Sequence, residues 1–352
     1  MKIVLITWGL GYIGSHAVVA FEKAGYKTVI VDNLSNSKLE TLENIWKILG
    51  YKPDFYEVDL RDKENLRKIF EKYNFSWVIH FAWLKAVWES CEKPLEYFDN
   101  NINWSLKLFE LMKEFNVKNI IFSSSATVYD LKMLKQLDWQ AVNDINWDLL
   151  LKRWFKETDP TWNTTNPYGR SKFVLEEILQ DLAKFSGFNV ILLRYFNPIW
   201  AHPSWLIWED PAWIPNNLLP YVMKVATGEY EKVKVFGNDY PTPDGTWVRD
   251  YIDVNDLVDG HLKAWEYLQK QAWDGFIDVF NLWTGKWRSV LEIIKAVEKV
   301  IGNKIPYEIV DRRPWDIAVS YCDPMKAGKI LGFKAKITLE ESIENMWRFY
   351  KQ

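Results

Sequence analysis

The feature that most constrains the fold is a regular alternation of short apolar runs with amphipathic stretches through the first half of the chain. Strands are predicted at residues 3–7, 28–31, 55–59, 77–81, 119–123 and 190–194. Helices are predicted between them, at residues 13–24, 40–49, 63–73, 97–115 and 166–185. Because such alternation is typical of βαβ units, it predicts an α/β fold built on a doubly wound parallel sheet.

The pattern changes after residue 198. Residues 198–220 contain five prolines, and shorter elements follow, including predicted helices at 290–301 and 339–350. We interpret residues 1–197 as a nucleotide-binding domain and residues 198–352 as a smaller mixed α/β lobe, with some return of the chain to the first domain. Residues 130–165 are interpreted as a polar insertion with weak helical character. The lobe is expected to cover the carboxyl ends of the sheet, where open α/β sheets bind their ligands.

A dinucleotide site is indicated at the first strand–helix junction. Gly9, Gly11 and Gly14 have the G-x-G-x-x-G spacing, which lets the backbone approach a pyrophosphate and directs a helix N-terminus at it. Taken alone, this spacing also fits a simple tight turn. Asp32 ends the second predicted strand, where a carboxylate can bind ribose hydroxyls and repel a 2′-phosphate, which favours NAD over NADP. Asp59 ends the third strand, either near adenine or as a helix N-cap. A Rossmann-type domain is therefore expected.

A catalytic group is indicated by Tyr168 and Lys172, which have the Y-x-x-x-K spacing. Residues four apart share one face of a helix, and an ammonium near a phenol stabilises the phenolate, which makes a general base. Ser123, Ser124 and Ser125 follow the fifth strand and add hydroxyls that can bind the same substrate oxygen. A surface Tyr–Lys pair and a serine turn are the simpler alternatives. Because both groups occur downstream of a nucleotide loop, the catalytic interpretation is favoured over these alternatives.

The motifs together resemble one family. Residues 123–129 (SSSATVY), 166–172 (NPYGRSK), 194–198 (RYFNP), 214–218 (IPNNL), 239–246 (DYPTPDGT), 248–251 (VRDY) and 312–316 (RRPWD) are similar to those of the UDP-glucose (UDP-galactose) 4-epimerase family, which belongs to the extended short-chain dehydrogenases/reductases. The resemblance covers almost the whole chain and is interrupted at residues 130–165.

The resemblance implies the ligand-binding residues. Ser125, Tyr168 and Lys172 are implied to be catalytic. NAD contacts are implied for Gly11, Tyr12, Ile13, Asp32, Asn33, Asn36, Asp59, Leu60, Phe81, Ala82, Lys85, Asn101, Ser125, Tyr168, Lys172 and Tyr195. Contacts with the UDP-sugar are implied for Lys85, Ser125, Thr127, Tyr168, Asn197, Asn216, Asn217, Leu218, Arg249, Arg313 and Asp316. No metal site is expected.

The activity that the resemblance implies is reversible 4-epimerisation of UDP-glucose and UDP-galactose through a 4-keto sugar with tightly held NAD⁺, as part of galactose metabolism. Ser320 falls at the position that controls the size of the hexose pocket, and its small side chain implies some turnover of N-acetylated UDP-sugars. A 4,6-dehydratase or decarboxylase is disfavoured because Ala126 and Thr127, rather than a carboxylate, follow Ser125. An NAD-binding regulator is disfavoured because the Tyr168–Lys172 pair is present.

Composition excludes several other classes. The net charge of −3 gives no basic surface for nucleic acid or anionic membranes. Cys91 and Cys322 cannot form a disulfide framework, so a cytoplasmic location is expected. No apolar run is long enough to span a membrane, and no signal peptide is expected. The resemblance also implies a homodimer that pairs through the predicted helices 97–115 and 166–185.

Tryptophan is unusually frequent. The chain has 21 Trp and 16 Gly, whereas average usage predicts about 25 Gly in a chain of this length. Where the family has glycine, tryptophan stands at thirteen positions: Trp8, Trp83, Trp88, Trp104, Trp162, Trp200, Trp205, Trp208, Trp213, Trp247, Trp283, Trp287 and Trp315. We hypothesise that UGA codons read as glycine by the source organism have been translated here as tryptophan. The alternative is a genuinely tryptophan-rich, inactive protein.

Overall fold

A computed structural model describes residues 2–81, 84–130, 154–195, 197–209, 217–270, 274–313 and 318–351. Its strands are β1 (Ile3–Thr7), β2 (Lys27–Asp32), β3 (Asp54–Glu57), β4 (Phe75–His80), β5 (Asn119–Ser125), β6 (Asn189–Tyr195), β7 (Asn197–Ile199), β8 (Val233–Phe236), β9 (Val248–Asp253), β10 (Phe276–Asn281), β11 (Trp287–Ser289), β12 (Tyr307–Val310) and β13 (Val319–Ser320).

The α-helices are α1 (Tyr12–Lys23), α2 (Leu39–Leu49), α3 (Lys63–Lys72), α4 (Val87–Glu92), α5 (Pro94–Phe98), α6 (Trp104–Glu114), α7 (Pro167–Ser186), α8 (Leu218–Ala226), α9 (Val254–Gln269), α10 (Val290–Ile301), α11 (Met325–Leu331) and α12 (Leu339–Tyr350). None of these described helices is long and apolar enough to cross a lipid bilayer.

Seven parallel strands form the main sheet, in the order β10-β6-β5-β4-β1-β2-β3. Alternate side chains of each strand enter two apolar clusters, one on each face. Helices α1, α2 and α9 contribute to the first cluster, and α3, α6 and α7 to the second. The doubly wound Rossmann-type sheet predicted from the sequence is therefore confirmed.

The second half of the chain contributes to both parts of the molecule. Strand β10 extends the main sheet beside β6, and α9 packs against α1. The remaining strands form a small mixed sheet, β11-β9-β13 with β7 alongside β9, and a parallel pair, β8 and β12. Helices α10 and α12 pack together and complete this smaller lobe.

Local signals explain several helix ends. Asn166 caps α7 by accepting from the backbone N–H of Gly169, Pro167 occupies the first turn, and Gly187 ends the helix with a positive φ of 68°. Capping boxes begin α10 and α12. The long helix predicted at residues 97–115 is present as a continuous helical run, in which a π-helical segment, Asp99–Asn103, joins α5 to α6.

Backbone geometry bears on the tryptophan hypothesis. Five non-glycine residues in the described ranges have a positive φ, and three of them are among the thirteen tryptophans: Trp8 (50°), Trp200 (112°) and Trp205 (59°). A bulky residue rarely adopts this conformation, whereas glycine does so freely. Trp83, Trp213 and Trp315 lie outside the described residues. The backbone conformation therefore supports glycine at three of the ten tryptophans that lie within the described residues.

Candidate active site

The nucleotide loop joins β1 to α1 at the carboxyl edge of the sheet. Gly11 is the N-cap of α1, and the first turn of this helix holds no acidic side chain. A Cβ on Gly14 would lie 2.1 Å from the carbonyl oxygen of Trp8, so the helix packs against the loop only because Gly14 has no side chain. The free N–H groups of the first turn, at Tyr12 and Ile13, are suited to a pyrophosphate.

Asp32 lies at the end of β2, next to this loop. Its carboxylate is buried and accepts from the N–H groups of Leu10 (3.0 Å) and Leu34 (2.9 Å) and from the Ser37 hydroxyl (2.8 Å). Burial raises the pKa of Asp32, and these hydrogen bonds lower it. A carboxylate held at this edge can bind ribose hydroxyls and repels a 2′-phosphate.

Four further predicted NAD residues lie on the loops that follow β2 and β3, next to Asp32. The Asn33 amide donates to Asp59 at 3.0 Å, which brings the ends of β2 and β3 together. Leu60 is buried, and Asn36 is exposed on the loop that follows β2. The donor and acceptor chemistry of the loop, Asp32 and Asn33 fits the pyrophosphate and adenosine ribose of a dinucleotide.

Tyr168 and Lys172 lie on the buried face of α7, against β5. The Lys172 side chain is fully buried, and its ammonium donates to the Ser123 carbonyl oxygen at 2.7 Å. It lies 5.8 Å from the centre of the Tyr168 ring. Ser125 ends β5, and its oxygen accepts from the N–H of Thr127 (3.2 Å) and from the Thr127 hydroxyl (3.0 Å). Because the Ser125 oxygen accepts both hydrogen bonds from Thr127, the Ser125 hydroxyl can use its own proton to donate to another group.

The charge balance of this pair differs from the sequence-based expectation. Burial raises the pKa of Tyr168 to about 12, and a hydrogen bond with Ser125 opposes that rise. Burial lowers the pKa of Lys172 well below its ordinary value, and the Glu176 carboxylate raises it. The chain by itself therefore does not make Tyr168 acidic. Proton loss from Tyr168 requires positive charge beside the phenol, from Lys172 and from a cationic cofactor.

Asn101, Phe81 and Tyr195 surround the same region. Asn101 lies in the π-helical segment, is fully buried, accepts from the Leu84 N–H at 2.9 Å and donates to the Ser171 hydroxyl at 2.9 Å. Phe81 follows β4 and is buried. The Tyr195 hydroxyl hydrogen-bonds the Ser123 hydroxyl, and burial raises the pKa of Tyr195. These residues line the sheet edge next to Tyr168 and Lys172.

The predicted nucleotide-sugar residues lie mostly on the smaller lobe. Asn197 begins β7 and donates to the Asp250 carbonyl oxygen at 3.4 Å. Asn217 and Leu218 lie at the start of α8. The buried Arg249 guanidinium stacks over Trp247 at 4.7 Å, and that of Arg313 lies 4.6 Å from the centre of the Phe236 ring. Of the other predicted ligand residues, Ala82, Asn216 and Asp316 lie outside the described residues.

Glu209 is a site residue that the sequence reasoning missed. One of its carboxylate oxygens accepts from the Lys85 ammonium at 3.0 Å and from the Asn217 amide at 2.6 Å. Glu209 therefore joins a side chain from the loop after β4 to one from the start of α8, both predicted to bind ligands. Glu209 could not be identified from the sequence, because residues 209–217 show no regular apolar period that would relate it to Asn217.

Known proteins match the chain over nearly its full length. Residues 4–275 match the NAD dependent epimerase/dehydratase family. A UDP-glucose 4-epimerase of Bacillus subtilis is 48% identical over 347 residues, which cover 98% of this chain and 96% of that protein. The human UDP-glucose 4-epimerase is 45% identical, covering 99% and 96%. The crystal structure of the Bifidobacterium longum UDP-glucose 4-epimerase in complex with NAD⁺ and UDP superposes with a TM-score of 0.88, at 45% identity, covering 99% of this chain and 98% of that one.

Proposed function

This chain belongs to the NAD dependent epimerase/dehydratase family, and on that premise we propose that it interconverts UDP-glucose and UDP-galactose by inverting C4 of the hexose. The observation that carries the proposal is the pair formed by the half-buried Tyr168 and the fully buried Lys172 on α7, next to Ser125, at the sheet edge that also holds the nucleotide loop. Relatives named UDP-glucose 4-epimerase, one of them solved with NAD⁺ and UDP, support the same choice.

NAD⁺ is the cofactor that the loop and Asp32 fit, and when bound it supplies reversible hydride acceptance from C4 of the sugar. The first turn of α1 would hold the pyrophosphate through the N–H groups of Tyr12 and Ile13. Asp32 would hold the adenosine ribose. The fully buried Asn101 fixes the loop at Leu84 through two hydrogen bonds, one in each direction. That loop also carries Lys85, the predicted contact to cofactor and sugar.

Tyr168 is proposed to act as the base that removes the proton from the sugar 4-hydroxyl. Lys172 supplies the positive charge that stabilises the phenolate, and Ser125 donates a hydrogen bond to the sugar oxygen O4. With the C4 hydride removed as well, the sugar would turn as a 4-keto species, and it would then regain a hydride on the opposite face of C4 and a proton on O4 from Tyr168. Arg249 and Arg313 would hold the diphosphate during this turn, since guanidinium groups bind phosphate oxygens with paired hydrogen bonds.

The test is turnover of UDP-galactose by the chain and by its Tyr168→Phe variant. We expect the variant to lose epimerisation and to keep bound NAD, because phenylalanine preserves the ring but carries no proton acceptor. Tyr73→Phe is the matched control, since the Tyr73 hydroxyl bonds Tyr56 and Asp54 away from the site. Retained turnover in Tyr168→Phe, or no turnover by the unmodified chain, would refute the assignment.

We propose that the substrates of the protein also include N-acetylated UDP-sugars. Ser320 is buried on β13, directly beside Arg249 of β9 in the strand register. A small side chain there leaves room for a bulky substituent on the hexose. Turnover of UDP-N-acetylglucosamine by the chain and its loss in Ser320→Tyr, with UDP-galactose turnover kept, is the expected result. Equal activity of the two proteins on the N-acetylated sugar would contradict this role.

We propose that the protein works in the cytoplasm as a homodimer that pairs through the helical segments predicted at 97–115 and 166–185, which in the structure contain α6 and α7. Both cysteines are free thiols in the structure, which suits a reducing compartment. The dimer is checked by light scattering after size-exclusion chromatography. A mass of one chain at micromolar concentration would contradict it.

A further inference from the structure

Glu176 is a buried carboxylate directly behind the catalytic pair. It follows Lys172 by four residues and Tyr168 by eight, so the three side chains lie along one face of α7. The Glu176 side chain is only 5% exposed. A carboxylate this deep in a protein requires compensating charge and hydrogen bonds.

Two residues from neighbouring strands meet that carboxylate. The Arg194 guanidinium on β6 donates from Nε to Oε1 at 2.9 Å and from Nη2 to Oε2, which makes a paired bond. The Ser124 hydroxyl on β5 donates to Oε1. Arg194 is as buried as Glu176, at 5% side-chain exposure. The cluster is therefore anchored to both strands against which Tyr168 and Lys172 must be placed.

Among the titratable and charged groups that surround the cluster, Glu176 is the carboxylate whose negative charge balances Arg194. These groups are Tyr168 and Lys172 on α7, Arg194 and Tyr195 on β6, His80 on β4, Tyr129 after β5, and Glu157. Burial lowers the pKa of His80 well below its ordinary value, so His80 is neutral. Glu157 offers Arg194 only its backbone carbonyl oxygen, at 3.5 Å, and burial raises the pKa of its carboxyl group.

The sign of the coupling follows from the different chemistry of the two cations. Arginine does not lose its proton in proteins, whereas a buried lysine does so readily. If Glu176 were neutral, Arg194 and a protonated Lys172 would share a buried region without a counter-ion. The excess charge would then be relieved at Lys172, which would become a neutral amine.

We propose that Glu176 is a positioning residue which neutralises Arg194 and thereby keeps Lys172 in its ammonium form beside Tyr168. The proposal rests on the function given above, in which that ammonium stabilises the Tyr168 phenolate. The carboxylate of Glu176 is bonded to Arg194 and Ser124 behind the catalytic pair. It acts through Lys172.

The experiment is the pH profile of kcat for UDP-galactose in Glu176→Gln. The basic limb, which reports proton loss from Lys172, is expected to move to lower pH by about one unit or more. Glu177→Gln is the matched control, since Glu177 is the next residue of α7 and is exposed; its profile should equal that of the unmodified chain. Glu176→Asp keeps the charge and should keep the limb, even if kcat falls.

A double variant separates charge from packing. Glu176→Gln with Arg194→Gln removes both charges at once, so the limb should return toward its original pH although two native side chains are missing. The double variant can also be measured if Glu176→Gln alone does not fold. A lower kcat with an unshifted profile in Glu176→Gln, or a double variant whose limb stays shifted, would overturn the proposal. An unmodified chain without epimerase activity would instead refute the proposed function.

Discussion

Glycine is predicted to be the native residue at Trp8, Trp200 and Trp205, where the backbone has φ values of 50°, 112° and 59°. A non-glycine residue in a sparsely populated region of this kind costs on the order of 1–3 kcal/mol. Three such residues together cost on the order of 3–9 kcal/mol, against a total stability of about 5–15 kcal/mol. Strain of that size would remove a large part of the free energy of unfolding of a natural protein.

The perturbation that isolates this strain is a comparison of glycine with alanine at the same position. Both substitutions remove the indole ring, but only alanine retains a Cβ, so their difference measures the backbone preference rather than lost packing. We expect glycine to exceed alanine by about 1–2 kcal/mol at each of the three positions. At Trp46, which is 51% exposed on α2, the order should reverse, with alanine better by about 1 kcal/mol.

The assay is equilibrium urea unfolding followed by circular dichroism, with NAD retention as a second measurement for Trp8, because that residue lies in the nucleotide loop. Alanine variants that equal or exceed the glycine variants at Trp8, Trp200 and Trp205 would refute the reasoning. The decoding hypothesis itself is checked by the intact mass of the protein from its own organism. Glycine at thirteen positions would make that mass clearly lower than 41.8 kDa, and a match to 41.8 kDa would exclude it.

Two further predictions concern the carboxylates of Glu209, which is half-buried, and Asp253, which is buried. Glu209→Leu should raise KM for UDP-galactose about tenfold with little change in kcat, since Lys85 and Asn217 lose their shared acceptor. Glu229→Leu is the control, because it breaks the exposed pair with Lys224, and it should leave KM unchanged. Equal KM values for Glu209→Leu and the unmodified chain would contradict the role of Glu209. Burial raises the pKa of Asp253 from 3.8 to about 7, so its contribution to the free energy of unfolding is full below pH 3.8 and is lost as the pH rises to about 7. Asp253→Asn should remove that decline, and parallel pH curves for the two proteins would show that the group does not titrate as stated.

Elements with strong local signals were predictable from the sequence. Strand β1 and helices α10 and α12 have the bounds that the apolar pattern predicted, and capping boxes begin both helices. The spacing of Tyr168 and Lys172 likewise predicted a shared helix face, because α7 is regular throughout. In each of these cases the information lies within a few residues of the element, where periodicity and capping chemistry decide the structure.

Features that depend on distant parts of the chain were not predictable. The π-helical segment Asp99–Asn103 widens one turn of a helix whose apolar pattern looks continuous, and this places Asn101 against Ser171 of α7. Some return of the chain to the first domain was expected, but not that strand β10 would join the main sheet beside β6, from which about 80 residues of sequence with a different pattern separate it. Pairing of this kind is decided by which sheet edge is open, and a single sequence does not contain that information in any local form.

The charge state of Lys172 combines both kinds of information. Its spacing from Tyr168 is local and fixes which face of α7 it occupies, but burial, which depends on the whole fold, lowers the pKa of Lys172. What opposes burial is Glu176, and the strength of that effect depends on Arg194, whose partner could not be known before β6 was placed next to β5. The catalytic spacing is therefore necessary but not sufficient for the chemistry. On the proposal made above, Lys172 keeps its ammonium form because a sheet pairing brings an arginine–glutamate pair to the turn of α7 behind it.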